Sequence, residues 1–141
     1  MLRPKPLLCK SPSLWPYLTN SISGLGIGTT PSALVSHGID TTVVEIDPVV
    51  HEFAQKYFSM RQNNPPAIAD AVSYTANLVN QSKSYDYIVH DVFTGGAEPV
   101  DLFTLEFLQG LGALLKPDGV IAIVSPLNHI ATCANCSELR W

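Results

Sequence analysis

Gly24-Leu25-Gly26-Ile27-Gly28-Thr29, followed by Thr41-Thr42-Val43-Val44-Glu45-Ile46-Asp47-Pro48, is the stretch that decides the fold. Glycines spaced in this way let a backbone turn approach a ligand more closely than any side-chain-bearing residue would allow. A β-branched apolar run then ends in Glu45, 19 residues after Gly26. That distance is the one at which an acid at the tip of a second strand accepts hydrogen bonds from both ribose hydroxyls of a bound nucleoside. A glycine triplet alone serves many ordinary turns. Coupled to the strand and its terminal acid, it predicts a nucleoside-binding βαβ unit.

Downstream, the pattern keeps alternating between periods of strand and helix. Pro31 near a first turn and Gly38 at a stop bracket a helix over residues 31–37. Asp47 and Pro48 offer an N-cap and first-turn proline for a helix to residue 57, with Val49, Val50, Phe53, Ala54 and Tyr57 as its apolar face. Asn63-Asn64-Pro65-Pro66 reads as a loop, residues 67–69 as a brief strand, and Asp70 as the start of a helix to residue 80. Residues 85–91 read as a strand ending in Asp91 before the Gly95-Gly96 loop. Leucines at 102, 105, 108, 111 and 115 predict a helix over residues 101–115, and Lys116-Pro117-Asp118-Gly119 breaks it before a strand over residues 120–124.

Upstream, Pro4, Pro6, Pro12 and Pro16 predict an irregular arm over residues 1–16. Residues 17–23 should then supply the strand that delivers the glycine turn, although Thr19-Asn20-Ser21 is polar for a strand buried on both faces. The expectation is an α/β, Rossmann-like doubly wound and mostly parallel sheet over residues 17–124, followed by an irregular tail over residues 125–141. Ligands of such sheets bind at the carboxyl ends of the strands.

Composition narrows the class of partner. The 141 residues suit one domain, 46% are hydrophobic, only 14% are charged, and the formal net charge is -4. A chain of this balance is neither a disordered segment nor an electrostatic nucleic-acid binder. Its longest apolar runs have strand length, so no membrane segment is expected, and a soluble, cytoplasmic chain follows. Cys9, Cys133 and Cys136 are odd in number and form no disulfide framework. Cys133 and Cys136 have the spacing of half a zinc site, but lacking a second ligand pair they read as two tail thiols.

Three acids recur after consecutive strands: Glu45, Asp70 and Asp91. A parallel sheet brings them to one rim. Glu45 is placed to take the ribose hydroxyls, Asp70 to accept from an adenine amine with the Ala71 amide beside it, and Asp91 to face the reacting end. The plainer alternatives are helix capping for Asp70 and satisfaction of loop amides for Asp91. His37, His51, His90 and His129 are scattered without metal-ligand spacing, so no metal is expected. His90 should point to the sheet face opposite Asp91.

The ordered motifs Gly24–Thr29, Val43-Val44-Glu45-Ile46-Asp47, Ile68-Ala69-Asp70-Ala71, Tyr85-Asp86-Tyr87-Ile88-Val89-His90-Asp91 and Leu102 through Leu115-Lys116-Pro117-Asp118-Gly119-Val120 resemble the spermidine/spermine synthase family, within the class I S-adenosylmethionine-dependent transferase fold. The chain is similar in particular to fungal spermidine-synthase-like proteins. The resemblance covers about residues 24–124. It implies that Gly24, Gly26, Gly28, Glu45, Asp70 and Ala71 bind the adenosyl part of decarboxylated S-adenosylmethionine, a co-substrate and not a tightly bound cofactor. Asp91 would take the catalytic aspartate's place in aminopropyl transfer to a polyamine.

Family members typically read Asp-Ser-Ser-Asp-Pro at this strand end, whereas this chain reads Asp91-Val92-Phe93-Thr94-Gly95. A hydroxyl at Thr94 attracts an ammonium group far less than a second carboxylate would. Glu98 and Asp101 are the acids near enough in sequence to compensate. The family's N-terminal hairpin region has no counterpart before Gly24, and its final antiparallel hairpin is expected to be missing after Val124. The fold is thus expected to be incomplete at both ends, with an exposed edge favouring homo-oligomers. Two alternatives remain beside aminopropyl transfer: an S-adenosylmethionine-dependent methyltransferase, and a noncatalytic binding or oligomerisation module that keeps the fold without the chemistry.

Overall fold

The computed structural model describes residues 19–92, 99–124 and 130–133. Six strands form one sheet in the order β3-β2-β1-β4-β5-β6. In chain order the elements are β1 (Thr19–Ser23), α1 (Thr29–Ser36), β2 (Asp40–Glu45), α2 (Pro48–Phe58), β3 (Ala67–Ile68), α3 (Ala71–Asn80) and β4 (Tyr85–Asp91). A 3₁₀ turn (Val100–Phe103), α4 (Leu105–Ala113), β5 (Leu115–Val124) and β6 (Ile130–Cys133) follow. β1 to β5 are parallel, and β6 runs antiparallel to β5. The reversal of strand order between β1 and β4 is a topological switch point, the place where doubly wound sheets hold ligands.

Side-chain alternation along β4 and β5 splits the core between the two faces. Ile88, Ile121 and Ile123 pack with Leu78 of α3 and with Phe107, Leu108 and Leu111 of α4. Tyr87 and Val120 meet Ile39 and Leu34 on the other face, where Val43 also packs against Ala54 and Val50 of α2.

Several expectations need correction. α1 begins at Thr29, ahead of Pro31. The strand expected over residues 17–23 is present as β1, central in the sheet despite its polar sequence. Polarity at its start is satisfied from the next strand: the Thr19 amide and hydroxyl both donate to Asp86 Oδ2, at 3.1 and 3.3 Å. On α2, only Val50 and Ala54 turn toward the sheet, while Val49, Phe53 and Tyr57 are exposed. α2 docks with its Val50–Ala54 side inward, and the row about 100° further round is left in solvent. The leucine ladder fails for a related reason, because a strict three-residue step drifts 60° per repeat on an α-helix. Leu102 falls in the 3₁₀ turn, Leu105 is exposed, Leu115 starts β5, and Phe107 takes the buried position.

Residues 116–119 do not break the chain ahead of β5. The register jumps from Tyr85 opposite Leu115 to Tyr87 opposite Val120, so these residues bulge out of the ladder within β5. From this bulge Lys116 Nζ reaches Asp86 Oδ2 at 2.7 Å. Finally, β6 lies in the stretch expected to be an irregular tail and pairs antiparallel with β5 after Val124, where the family's final antiparallel hairpin was expected to be missing. Cys133 is its last residue, whereas Cys9, Cys136 and His129 lie outside the described residues.

Candidate functional site

At the switch point the carboxyl ends of β1, β2 and β4 surround a cavity of about 460 Å³, within the range of small-ligand sites. Gly24, Gly26, Glu45, Asp70, Ala71 and Asp91 all line it. One sheet rim therefore gathers every acid singled out by its place after a strand.

The three glycines of the turn have positive φ, but they do different things. At Gly24, φ is +86° and a Cβ would lie 2.0 Å from the Asp91 carbonyl oxygen, so the missing side chain lets the glycine turn lie directly against the end of β4. Gly26 has φ +52° and nothing within 4 Å of where its Cβ would be. That open space beside the cavity is what close ligand approach requires. Gly28, expected to touch the ligand, is absent from the cavity wall: a Cβ there would lie 2.4 Å from Met60, and its amide donates to the Leu25 carbonyl at 3.0 Å. It serves the packing of α1 against the Met60 cluster.

Glu45 is held by both carboxylate oxygens. Oε2 accepts from the Leu25 amide at 3.1 Å and Oε1 from the Asp47 amide at 2.9 Å. The first bond ties the acid to the glycine turn and the second fixes its rotation. Each oxygen keeps a further lone pair, so the group is oriented with acceptor capacity for two hydroxyls.

Asp70 does what its plainer reading predicted. Its Oδ2 accepts from the Ser73 amide at 2.9 Å and the Ser73 hydroxyl at 2.7 Å, while Oδ1 accepts from Val72 at a longer 3.4 Å. The Ser73 bonds, with the backbone amide foremost, hold its pKa below the ordinary carboxylate value. Capping thus orients the Asp70 carboxylate at the cavity border and leaves Oδ1 the less committed oxygen. Ala71, the first residue of α3, sits beside it.

Asp91 ends β4 half-buried on the cavity wall, and His90 turns to the opposite sheet face as alternation requires. There His90 is fully buried against Phe103 and Phe107, with ring centroids 5.1 and 5.5 Å away. Desolvation pushes its pKa down to about 4, against a weaker upward pull from the Leu102 backbone. The ring is neutral at ordinary pH. Of the acids weighed as substitutes for a second carboxylate, Glu98 lies outside the described residues, as does Thr94, and Asp101 sits in the 3₁₀ turn off the cavity wall.

The sequence reading missed the apolar part of the wall. Ile27, Ile46, Val50 and Leu102 line the cavity, and Ile46 is 69% exposed. A large apolar side chain left open beside an acid suits the flat face of a base. Its position next to Glu45 was the available signal.

The Spermine/spermidine synthase domain model matches residues 21–136. The chain belongs to the spermine/spermidine synthase domain family. Among curated relatives of this spermine/spermidine synthase domain, an N-terminal histidine N-methyltransferase of Emericella nidulans is 66% identical over 104 residues, covering 72% of this chain and 19% of that protein. A polyamine aminopropyltransferase of Vibrio vulnificus is 36% identical over 104 residues, covering 71% of this chain and 35% of that protein. The chain thus spans between a fifth and about a third of the length of these relatives. The relative at 66% identity is named a methyltransferase, which corrects the expected particular likeness to fungal spermidine-synthase-like proteins.

Among solved structures, human methyltransferase-like protein 13 in complex with SAH superposes with TM-score 0.70 at 29% identity, covering 79% of this chain and 57% of that one. The spermidine synthase of Thermotoga maritima gives TM-score 0.61 at 25% identity, covering 75% and 37%. The fold is the class I methyltransferase-like α/β fold. No helix among the described residues is long and apolar enough to cross a membrane.

Proposed function

We propose that this domain binds the adenosyl part of a sulfonium donor and supports transfer of an alkyl group to nitrogen, with S-adenosylmethionine as donor and methyl as the group. The carrying observation is the Glu45 carboxylate, fixed by the Leu25 and Asp47 amides on the wall that it shares with Gly26 and Asp91. In this reading Glu45 takes the ribose hydroxyls, and Ile46 and Val50 cover a face of the base. Asp70 Oδ1 accepts from its exocyclic amine beside the Ala71 amide.

The chemistry asks little of the protein beyond placement. A neutral amine lends its electron pair to the carbon beside the sulfonium, the carbon–sulfur bond breaks, and its pair stays on sulfur. The product is a neutral thioether that needs no acid to leave. The nitrogen must then lose a proton, and Asp91 at the end of β4 is the group positioned to orient the amine and accept it.

Two observations support the methyl reading. The relative sharing 66% of aligned residues is a methyltransferase, and the position of the family's second acid is Thr94. The acceptor carried over from that relative is the nitrogen of an N-terminal histidine. Aminopropyl transfer to a polyamine stands as the second reading, supported by the family and by the Vibrio vulnificus relative.

Calorimetric titration with S-adenosylmethionine, decarboxylated S-adenosylmethionine and methylthioadenosine tests the proposal. Tighter binding of S-adenosylmethionine, with transfer to a peptide beginning in histidine, is the expected result. Preference for the decarboxylated donor would establish the second reading instead, and a folded chain that binds none would be a noncatalytic module. Asp91→Asn should leave nucleoside affinity within about threefold while lowering transfer at least 100-fold.

A further inference from the structure

The geometry points to His90 as a positioning residue that sets the spacing between Asp91 and Leu102, two walls of the adenosyl cavity. The inference rests on the adenosyl reading of that cavity. His90 is 0% exposed, and neither ring nitrogen has a well-formed hydrogen bond among the described residues. A buried imidazole in this condition costs stability that an apolar residue of similar size would not. Its two neighbours explain what it holds. Along the chain it precedes Asp91, and across the core its ring packs on Phe103 and Phe107.

Phe103 is the last residue of the 3₁₀ turn, and Leu102 immediately before it lines the cavity. The ring is therefore the wedge between the strand end that carries the reacting acid and the turn that carries the facing apolar wall. Tight packing transmits such spacing because interiors leave few voids into which a neighbour can relax without cost. Shrinking the wedge should let the turn settle toward β4 and displace Leu102 from the ligand. Thickness and shape matter here more than polarity, so a ring without nitrogens should serve.

The test is S-adenosylhomocysteine affinity, measured well below each variant's melting temperature, for wild type, His90→Phe, His90→Ala, Leu102→Ala and the double Ala variant. His90→Ala is expected to weaken binding by 5- to 10-fold and His90→Phe to stay within twofold of wild type. The double variant should lose clearly less than the product of the two single losses, because both act on one wall. Should His90→Ala fail to fold, the smaller His90→Val replaces it, with the same direction of loss expected and the same results overturning the inference. A lowered melting temperature with unchanged affinity would make His90 merely structural and overturn the inference, as would strictly multiplicative losses. Wild type binding no adenosyl nucleoside would overturn the adenosyl reading itself and this inference with it.

Discussion

Replacing Glu45 by Gln removes one charge and one acceptor with almost no change in shape, which makes it the sharpest perturbation of the cavity. In the wild type, Oε2 and Oε1 each accept a backbone amide, from Leu25 at 3.1 Å and Asp47 at 2.9 Å. A glutamine can satisfy only one of them, since its NH₂ group would meet the other amide donor to donor. The fold should lose about 1–2 kcal/mol from that contact. Binding should lose more. One ribose hydroxyl loses its acceptor and the other exchanges a charged partner for a neutral one, together about 2–3 kcal/mol, or roughly 30- to 150-fold in Kd. Calorimetric titration with S-adenosylhomocysteine, beside urea unfolding to confirm a folded variant, reads both quantities. A folded Glu45→Gln chain whose Kd stays within threefold of wild type would refute the assignment of Glu45 to the ribose.

Further outcomes follow from neighbouring geometry. Gly26→Ala should cost only about 1–2 kcal/mol of stability for its positive φ yet weaken nucleoside binding at least tenfold, whereas Gly24→Ala should prevent stable folding because its Cβ would lie 2.0 Å from the Asp91 carbonyl oxygen. Thermal melts and titrations separate the two, and equal behaviour would contradict their division of labour. Asp86→Ala should destabilise by about 2–3 kcal/mol in urea unfolding, since it strands the Thr19 amide and the half-exposed Lys116 ammonium together; a loss below 1 kcal/mol would remove Asp86 as the anchor of β1. His90 titrates near 6.5 when unfolded and about 4 when folded, so its burial adds no protonation-linked cost above pH 6.5, and stability drains away as pH falls from 6.5 to 4. The difference between wild type and His90→Phe should grow across that window toward about 3 kcal/mol, and parallel unfolding curves there would show that the ring is already protonated or solvated in the fold.

How much of this was legible before folding depended on whether the signal was local. The glycine turn, the Asp47 cap with Pro48, and the Glu45 distance each concern residues within one βαβ unit, and all three appear in the structure where the pattern placed them. What failed was nonlocal. The polar start of β1 looked wrong for a central strand because Asp86, its partner, lies 67 residues away. Gly28 read like Gly24 and Gly26, since nothing in a triplet says which glycine meets a ligand and which meets Met60. The exposed row Val49-Phe53-Tyr57 and the buried pair Val50-Ala54 are offset by one residue, about 100° round the helix, and only the docked helix decides between them. β6 stayed hidden because a four-residue edge strand is defined by its ladder with β5 and carries little pattern of its own.

The same distinction bears on catalysis. In the function proposed above, Glu45 meets the adenosyl half of the ligand, which methyl and aminopropyl donors share, so its geometry does not separate them. Discrimination must come from what surrounds the sulfonium substituent and the incoming nitrogen. On the described wall that region holds Asp91, Val92 and Leu102, one carboxylate beside two apolar side chains. A polyamine brings a second ammonium that needs its own counter-charge, and a single acid cannot both orient the attacking amine and neutralise a distant cation. An acceptor without a distant second ammonium makes no such demand. Restoring an acid by Thr94→Asp should therefore increase affinity for a diamine such as putrescine by about tenfold while leaving S-adenosylmethionine affinity within twofold. Unchanged putrescine binding, measured by the same calorimetry, would show that position 94 does not set the acceptor's charge and would return aminopropyl transfer to equal footing with methyl transfer.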